Sequence, residues 1–377
     1  MTSAAADQRL HVPLSRPDIT DLERRYVMEV LETSQLSIGP RLVQFESQLA
    51  QYAGVKHAIA VNSGTSALHL IVKAMGIEEG DEVITTPFSF ISSSNCIVME
   101  RAKPVFVDIE PVTYNIDADL IQRAITSKTK AILAVDVFGH PAQWQKLETI
   151  AEKHNLKLIE DSAEAIGSAY FNRKCGSFGD AGVCAFYPNK QITTGEGGAV
   201  LTNDDNIAFL CRSMRNQGRD EGDTWLLHSR LGYNYRISEI NCALGIAQME
   251  RIDEIINART SVAKTYDKYL SEIQQISIPQ TRSGVNLSYF VYVIRLSNDY
   301  SSEDRDRIMY ELRTRGVGCN DYFNPIHTQP MYRELGYRKG DFPITEAVGS
   351  RTIALPFHNR LSEEEIVYVV QQLKDVL

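Results

Sequence analysis

The chain has 377 residues, 43% of them hydrophobic and 23% charged, the composition of a globular protein larger than one hydrophobic core usually serves. Its net charge of −9 argues against a nucleic-acid partner, and no stretch approaches the roughly 18 apolar residues that cross a bilayer. Six cysteines without a Cys-x-x-Cys pair and eight histidines without helical ligand spacing leave a metal site unsupported; the N-terminus lacks the apolar core of a signal peptide, so a cytoplasmic protein is expected.

In chain order, periodicity predicts a short strand over 57–61 and a helix over 67–75. Between them lies Asn62-Ser-Gly-Thr-Ser-Ala67. Gly64 permits a tight turn there, and Thr65 and Ser66 offer hydroxyls and N–H groups at a helix start. Such a turn suits a phosphate and equally suits a plain helix cap. Strands follow over 81–85 and 104–108, a helix over 120–126, a buried strand over 130–138, a helix over 144–154 and a strand over 156–160. Continuous apolar runs with helices between them mark a parallel α/β sheet covered on both faces. The last of these strands runs into Glu160-Asp161-Ser-Ala-Glu164. A carboxylate there is either a turn residue or the partner of a cationic ligand atom, such as a protonated pyridine nitrogen.

The segment Cys184-Ala-Phe-Tyr-Pro-Asn-Lys190-Gln-Ile-Thr-Thr-Gly-Glu-Gly-Gly198 then carries an apolar strand into a lysine and a glycine-rich turn, and another strand spans 199–202. A lone lysine is ordinarily a solvated surface residue. Framed by aromatics and glycines, Lys190 reads instead as a desolvated amine, whose lowered pKa would supply the neutral form that makes a Schiff base. Beyond Ser238 the pattern changes to one long helical stretch over 239–270, a strand-like 290–295, a helix over 302–315 and a final helix over 363–377. The expected division is a large domain of residues 1–257, which includes the N-terminal segment, and a smaller α+β domain of residues 258–377.

With these motifs in hand, the sequence resembles the DegT–StrS sugar-nucleotide aminotransferases. The likeness rests on the Phe-Tyr-Pro-Asn-Lys-Gln-Ile-Thr-Thr-Gly-Glu-Gly-Gly run and on the order of turn, aspartate and lysine. It extends from Leu14-Ser-Arg-Pro through Gly39-Pro and Phe45-Glu to Leu355-Pro-Phe-His. It implies the fold-type-I aminotransferase architecture, an α/β fold with a mostly parallel sheet flanked by helices and a smaller α+β C-terminal domain. It also implies pyridoxal 5'-phosphate as cofactor, with pyridoxamine 5'-phosphate as its aminated form. The reaction implied is amino transfer from glutamate to a nucleotide-linked keto-sugar in amino-sugar biosynthesis, by a homodimer.

Residue by residue, the resemblance gives Lys190 the cofactor and Asp161 its pyridine nitrogen. Gly64 and Thr65 would take the phosphate. Phe90 would stack on the ring, an alternative to packing in the core. Glu164 would lie near the ring hydroxyl, and Asn234 would reach the neighbouring subunit's phosphate. Arg219, Tyr322 and His327 are implied on the substrate side. Two positions depart from the pattern: Ala185 stands where many relatives carry a phosphate-binding Ser, and Glu164 is acidic where they often carry Gln or His.

Competing readings are a keto-cyclitol as acceptor, a sugar dehydratase and a non-catalytic regulatory protein. The retained Lys190 disfavours the dehydratases, which typically carry His there, and no basic DNA-binding segment is appended to support a regulator. A dinucleotide enzyme would show Gly-x-Gly-x-x-Gly after a strand, which is absent.

Overall fold

Strands that carry continuous apolar runs need cover on two sides, and the central sheet has it. The computed structural model describes residues 10–377 apart from residues 221, 223 and 225. The first strands are β1 (His57–Val61), β2 (Glu82–Thr85), β3 (Lys103–Phe106), β4 (Thr129–Val135) and β5 (Lys157–Asp161), then the short β6 (Ala169–Tyr170) and β7 (Arg173–Lys174), β8 (Ala181–Ala185) and β9 (Gly198–Thr202). Seven of them form one sheet in the order β1-β9-β8-β5-β4-β2-β3. All run parallel except β9, which is antiparallel to both neighbours.

The helices that pack around it are α1 (Asp21–Leu31), α2 (Pro40–Ala53), α3 (Gly64–Ala74), α4 (Ser92–Met99), α5 (Ala118–Ala124), α6 (Trp144–His154) and α7 (Asp205–Arg215). Alternate strand residues feed different cores. Ile59 and Val61 join Leu68, Leu70 and Ile71 of α3, while Ala58 and Ala60 join Phe45 and Leu49 of α2. Each fully buried aliphatic or aromatic side chain contributes roughly 1.5–3 kcal/mol, so both faces hold the sheet. On β5 the same alternation puts Ile159 in the α3 core and Leu158 in the core of Trp144 and Leu147 from α6. Asp161 therefore follows Ile159 to one face and Glu160 follows Leu158 to the other.

Two elements differ from the sequence expectation. The strand expected over 130–138 stops at Val135, and Val137–Gly139 forms a 3-10 turn with Phe138 at φ 56°. The apolar run continues there because Phe138 turns into an aromatic cluster with Phe88 and Phe323. The single helix expected over 239–270 is two, α8 (Glu239–Glu250) and α9 (Ile252–Leu270), broken at Arg251 (φ −108°, ψ 6°). The break aims the Arg251 guanidinium at Asp18 Oδ2 (2.7 Å) and Glu23 Oε1 (2.8 Å), which the straight continuation of a helix would not supply.

The C-terminal part adds β10 (Ile276–Ser277), β11 (Val285–Asn286), β12 (Tyr292–Leu296) and β13 (Thr352–Leu355), with α10 (Ser302–Thr314) and a last helix, Glu363–Val376. Here β10-β12-β13 make a small antiparallel sheet, and β11 pairs with β6. The division drawn at residue 258 falls within α9, whose Ile252 and Ile255 pack in the α2–α8 core while Val262, Ala263, Tyr266 and Leu270 pack in the core of the small sheet. The N-terminal segment, grouped by sequence with the large unit, crosses to the small one: Val12 bridges to Val317 and is buried in the small-sheet core. All six cysteines are buried and unpaired. No described helix is long and apolar enough to cross a membrane.

Candidate active site

Parallel strands end on one edge of the sheet, and a cavity of ≈ 430 Å³ opens there. Its lining includes Val135, Asp161 and Ala185, the last residues of β4, β5 and β8. The N-terminus of α3 closes another side with Ser63, Gly64 and Thr65, and the C-terminal unit contributes Phe290 and Tyr322.

Lys190 enters this cavity from the loop between β8 and β9. That loop is stapled to itself: Phe186 N–H donates to the Gly197 carbonyl (2.9 Å), Thr194 N–H to the Phe186 carbonyl (3.0 Å), and the Thr193 hydroxyl to the same carbonyl (3.0 Å). Gln191 Nε2 ties it to the Glu164 carbonyl at 2.6 Å. The lysine side chain is 12% exposed, so the amine faces the cavity rather than bulk water. The glycine turn beyond it is required by contact. A Cβ on Gly198 would lie 2.6 Å from the Gly64 nitrogen and from the Ser63 carbonyl, so the start of β9 lies against the first turn of α3.

Asp161 is wholly enclosed and accepts from the Ser93 hydroxyl (2.8 Å) and the Ala163 N–H (3.2 Å). Burial pushes its carboxyl above the ordinary range, while those donors and the nearby Lys190 charge favour the anion. Glu164 is pushed up by burial in the same way, with Lys190 again favouring its anion. At the opposite wall the Thr65 and Ser92 hydroxyls lie 2.7 Å apart beside the N–H groups of the α3 start. Phe90 is 62% exposed at the cavity, which removes the core-packing alternative. Tyr322 lies in the same lining, its hydroxyl 3.4 Å from Asn189 Nδ2, and the Asn189 Oδ1 is buried without a hydrogen-bond partner among the described residues.

These features fit pyridoxal phosphate on the chain's own chemistry. A buried carboxylate is costly unless a cation meets it, and a protonated pyridine nitrogen is one. A helix start with two hydroxyls suits a phosphate, and an enclosed amine suits an aldehyde.

Of the ten residues singled out in the sequence, Gly64, Thr65, Phe90, Asp161, Glu164, Lys190 and Tyr322 share this cavity. His327 lies outside this lining. It is wholly buried, with Nε2 2.9 Å from Glu346 Oε1 and its ring edge-on to Phe342, because the Ile326 N–H is held by the Pro87 carbonyl and turns the imidazole inward. Arg219 and Asn234 lie outside the lining formed by their own chain. Sequence reading passed over Ser93, Asn189 and Phe290. The Ser92-Ser93-Ser94 run directly after the Phe90 motif was the one visible signal for the first.

Solved structures share the whole architecture. PseC of Helicobacter pylori, an aminotransferase involved in the biosynthesis of pseudoaminic acid, matches with a TM-score of 0.92 at 30% identity over 97% of this chain and 99% of that one. The sugar aminotransferase Spr1654 of Streptococcus pneumoniae, solved in PLP and PMP forms, matches with a TM-score of 0.93 at 28% identity over 97% of this chain and 98% of that one. Fold and cavity together define a pyridoxal-phosphate-dependent aminotransferase of fold type I. In sequence, the GDP-perosamine synthase of Caulobacter vibrioides is 39% identical over 368 residues, 97% of this chain and 98% of that protein. The model of the DegT/DnrJ/EryC1/StrS aminotransferase family matches residues 17–374, and the chain belongs to that family.

Proposed function

We propose that this aminotransferase moves the amino group of glutamate onto the ketone of a nucleotide-linked sugar, in the cytosol and as a homodimer. The observation that carries the reading is a single cavity holding an enclosed lysine amine from the β8–β9 loop and a buried aspartate at the end of β5. The sugar side draws on the family and on the GDP-perosamine synthase likeness. The aromatic faces of Phe90, Tyr187 and Tyr322 around the opening offer apolar surface to sugar and base.

Bound pyridoxal phosphate supplies the electron sink and carries the amino group between donor and acceptor. Asp161, held by Ser93, keeps a proton on the pyridine nitrogen and so sustains that sink. Gly64 and Thr65 at the α3 start, with Ser92 beside them, hold the phosphate and fix the ring's position. The Lys190 amine takes the proton from the donor's α-carbon, and in the second half-reaction it delivers a proton to the sugar carbon that gains nitrogen. The dimer is supported by Asn234, exposed and outside its own chain's cavity but next to Asn62, which donates to the Asn234 carbonyl (3.4 Å). Exposed apolar side chains such as Leu36, Ile38, Val43 and Leu231 support it further. Six buried, unpaired cysteines suit a reducing compartment.

Purified protein incubated with pyridoxal phosphate should turn yellow, retain the cofactor at Lys190 after borohydride treatment, and bleach when glutamate is added. Labelled glutamate, offered with a panel of nucleotide-linked keto-sugars and keto-cyclitols, should then mark a nucleotide-linked amino-sugar. Colour that no amino donor bleaches would remove the assignment, and label appearing only in cyclitols would overturn the sugar reading.

A further inference from the structure

Glu164 is fixed more firmly than a cofactor contact needs. Its side chain is 7% exposed, and Oε2 accepts the Phe138 N–H at 2.9 Å. That donor cannot drift, because Phe138 holds φ 56° while its ring packs edge-on to Phe88 (6.0 Å) and stacks on Phe323 (5.3 Å). With one oxygen tied, the other stands 3.4 Å from Lys190 Nζ. The same ammonium lies over the Phe290 ring, 4.0 Å from its centroid. A carboxylate and an aromatic face are both surroundings that favour a cation.

A lysine that carries a cofactor spends part of each turnover detached from it. In an enclosed cavity a detached ammonium is costly unless it is paired. We propose that Glu164 is a positioning residue that ion-pairs with the Lys190 ammonium whenever that amine is not bonded to the cofactor, holding it in the cavity until it is next needed. The proposal rests on the aminotransferase reading. The other titratable groups facing the pair are Asp161 from β5, Tyr322 from the C-terminal unit, and Tyr187 and Glu196 from the lysine loop. Phe138 and Phe290 bring no charge. Removing the Glu164 charge therefore leaves Asp161 as the remaining buried acid and isolates the contact at 3.4 Å.

The test uses cofactor-free protein and acetic anhydride, which modifies neutral amines, with labelling of Lys190 followed by peptide mass spectrometry across a pH series. In Glu164→Gln the labelling midpoint is expected to fall by about one pH unit, so that Lys190 reacts about tenfold faster below both midpoints. Glu164→Asp, which keeps the charge on a shorter arm, is expected to lie between that variant and the wild type. Equal midpoints in Glu164→Gln and wild type overturn the ion pair. Should Glu164→Gln fail to fold, Glu164→Asp against wild type decides, and an unchanged midpoint again overturns it. Colour is read separately: wild-type protein that stays colourless with pyridoxal phosphate overturns the aminotransferase reading, whatever the labelling shows.

Discussion

Ala185 presents a methyl group at the end of β8, beside Gly64 and the start of α3. Ala185→Ser would add a hydroxyl there, and one added hydrogen bond is worth about 1 kcal/mol, or about fivefold in affinity. Titration of cofactor-free protein with pyridoxal phosphate should show that tightening; unchanged affinity would place the phosphate elsewhere. Asp161→Asn should act in opposite directions on two quantities. Burial raises the Asp161 carboxyl, so without cofactor its contribution to stability is present at low pH and is lost as pH rises through the raised value. The variant should therefore melt higher than cofactor-free wild type, by on the order of 1 kcal/mol with the gap widening as pH rises, yet release pyridoxal phosphate faster. Lys190 and Asp161 were legible because one stands in a glycine-rich loop after an apolar strand, the other at a strand end, and the two occur in the family's order. Ser93 was not, since it meets Asp161 across 68 residues of chain. The setting of His327 was not legible either: residue type is visible in a sequence, but the turn that faces the imidazole toward Glu346 is not.

At the scale of elements, the break between α8 and α9 is electrostatic, and periodicity cannot report it. Apolar residues recur on both sides of Arg251, which is why the stretch reads as one helix. The Arg251 guanidinium nevertheless pairs with Asp18, Glu23 and Glu254, fastening the α1 entry to the helix junction. Burial pushes Glu23 upward, but donors from Thr20, Arg251 and Gln248 outweigh it and hold its carboxyl at about 2. Its contribution to stability is thus present above the ordinary value of 4.5 and lost as pH falls toward about 2. Arg251→Ala removes one cation from two nearly enclosed acids, which keep Arg360 and Gln248 as partners, and the expected cost is about 1.5–3 kcal/mol, read as a lower urea midpoint and an acid transition moved to higher pH. An unchanged urea midpoint would mean that the junction is held by packing alone.

For the molecule as a whole, α9 belongs to two cores at once, and the cavity takes Lys190 and Asp161 from one side of that junction and Phe290 and Tyr322 from the other. The sheet was legible because burial on both faces gives its strands continuous apolar runs. Strand order and the antiparallel run of β9 were not, because they depend on pairings between distant segments. A second set of acids sets how the whole fold answers pH. Asp136 and Glu160 lie wholly buried with Cys175 on the α6 face of the sheet. Burial pushes Asp136 up to about 6 and Glu160 well above the carboxylate range, the latter raised further by the Asp136 charge beside it. Both are raised, so stability falls as pH rises through about 6. Cofactor-free Asp136→Asn should lose less stability than wild type between about pH 5 and 8, measured by thermal melts; parallel curves would show that the pair does not titrate there.

The six enclosed cysteines have a practical consequence. Burial pushes every one of these thiols upward, so none offers a thiolate to an alkylating dye at neutral pH. A cysteine placed at Tyr310, 69% exposed on α10, would then be the sole maleimide target among the described residues. One fluorophore per chain follows from that, and energy transfer between mixed donor- and acceptor-tagged samples should rise as subunits exchange, reporting directly on whether two copies share an assembly.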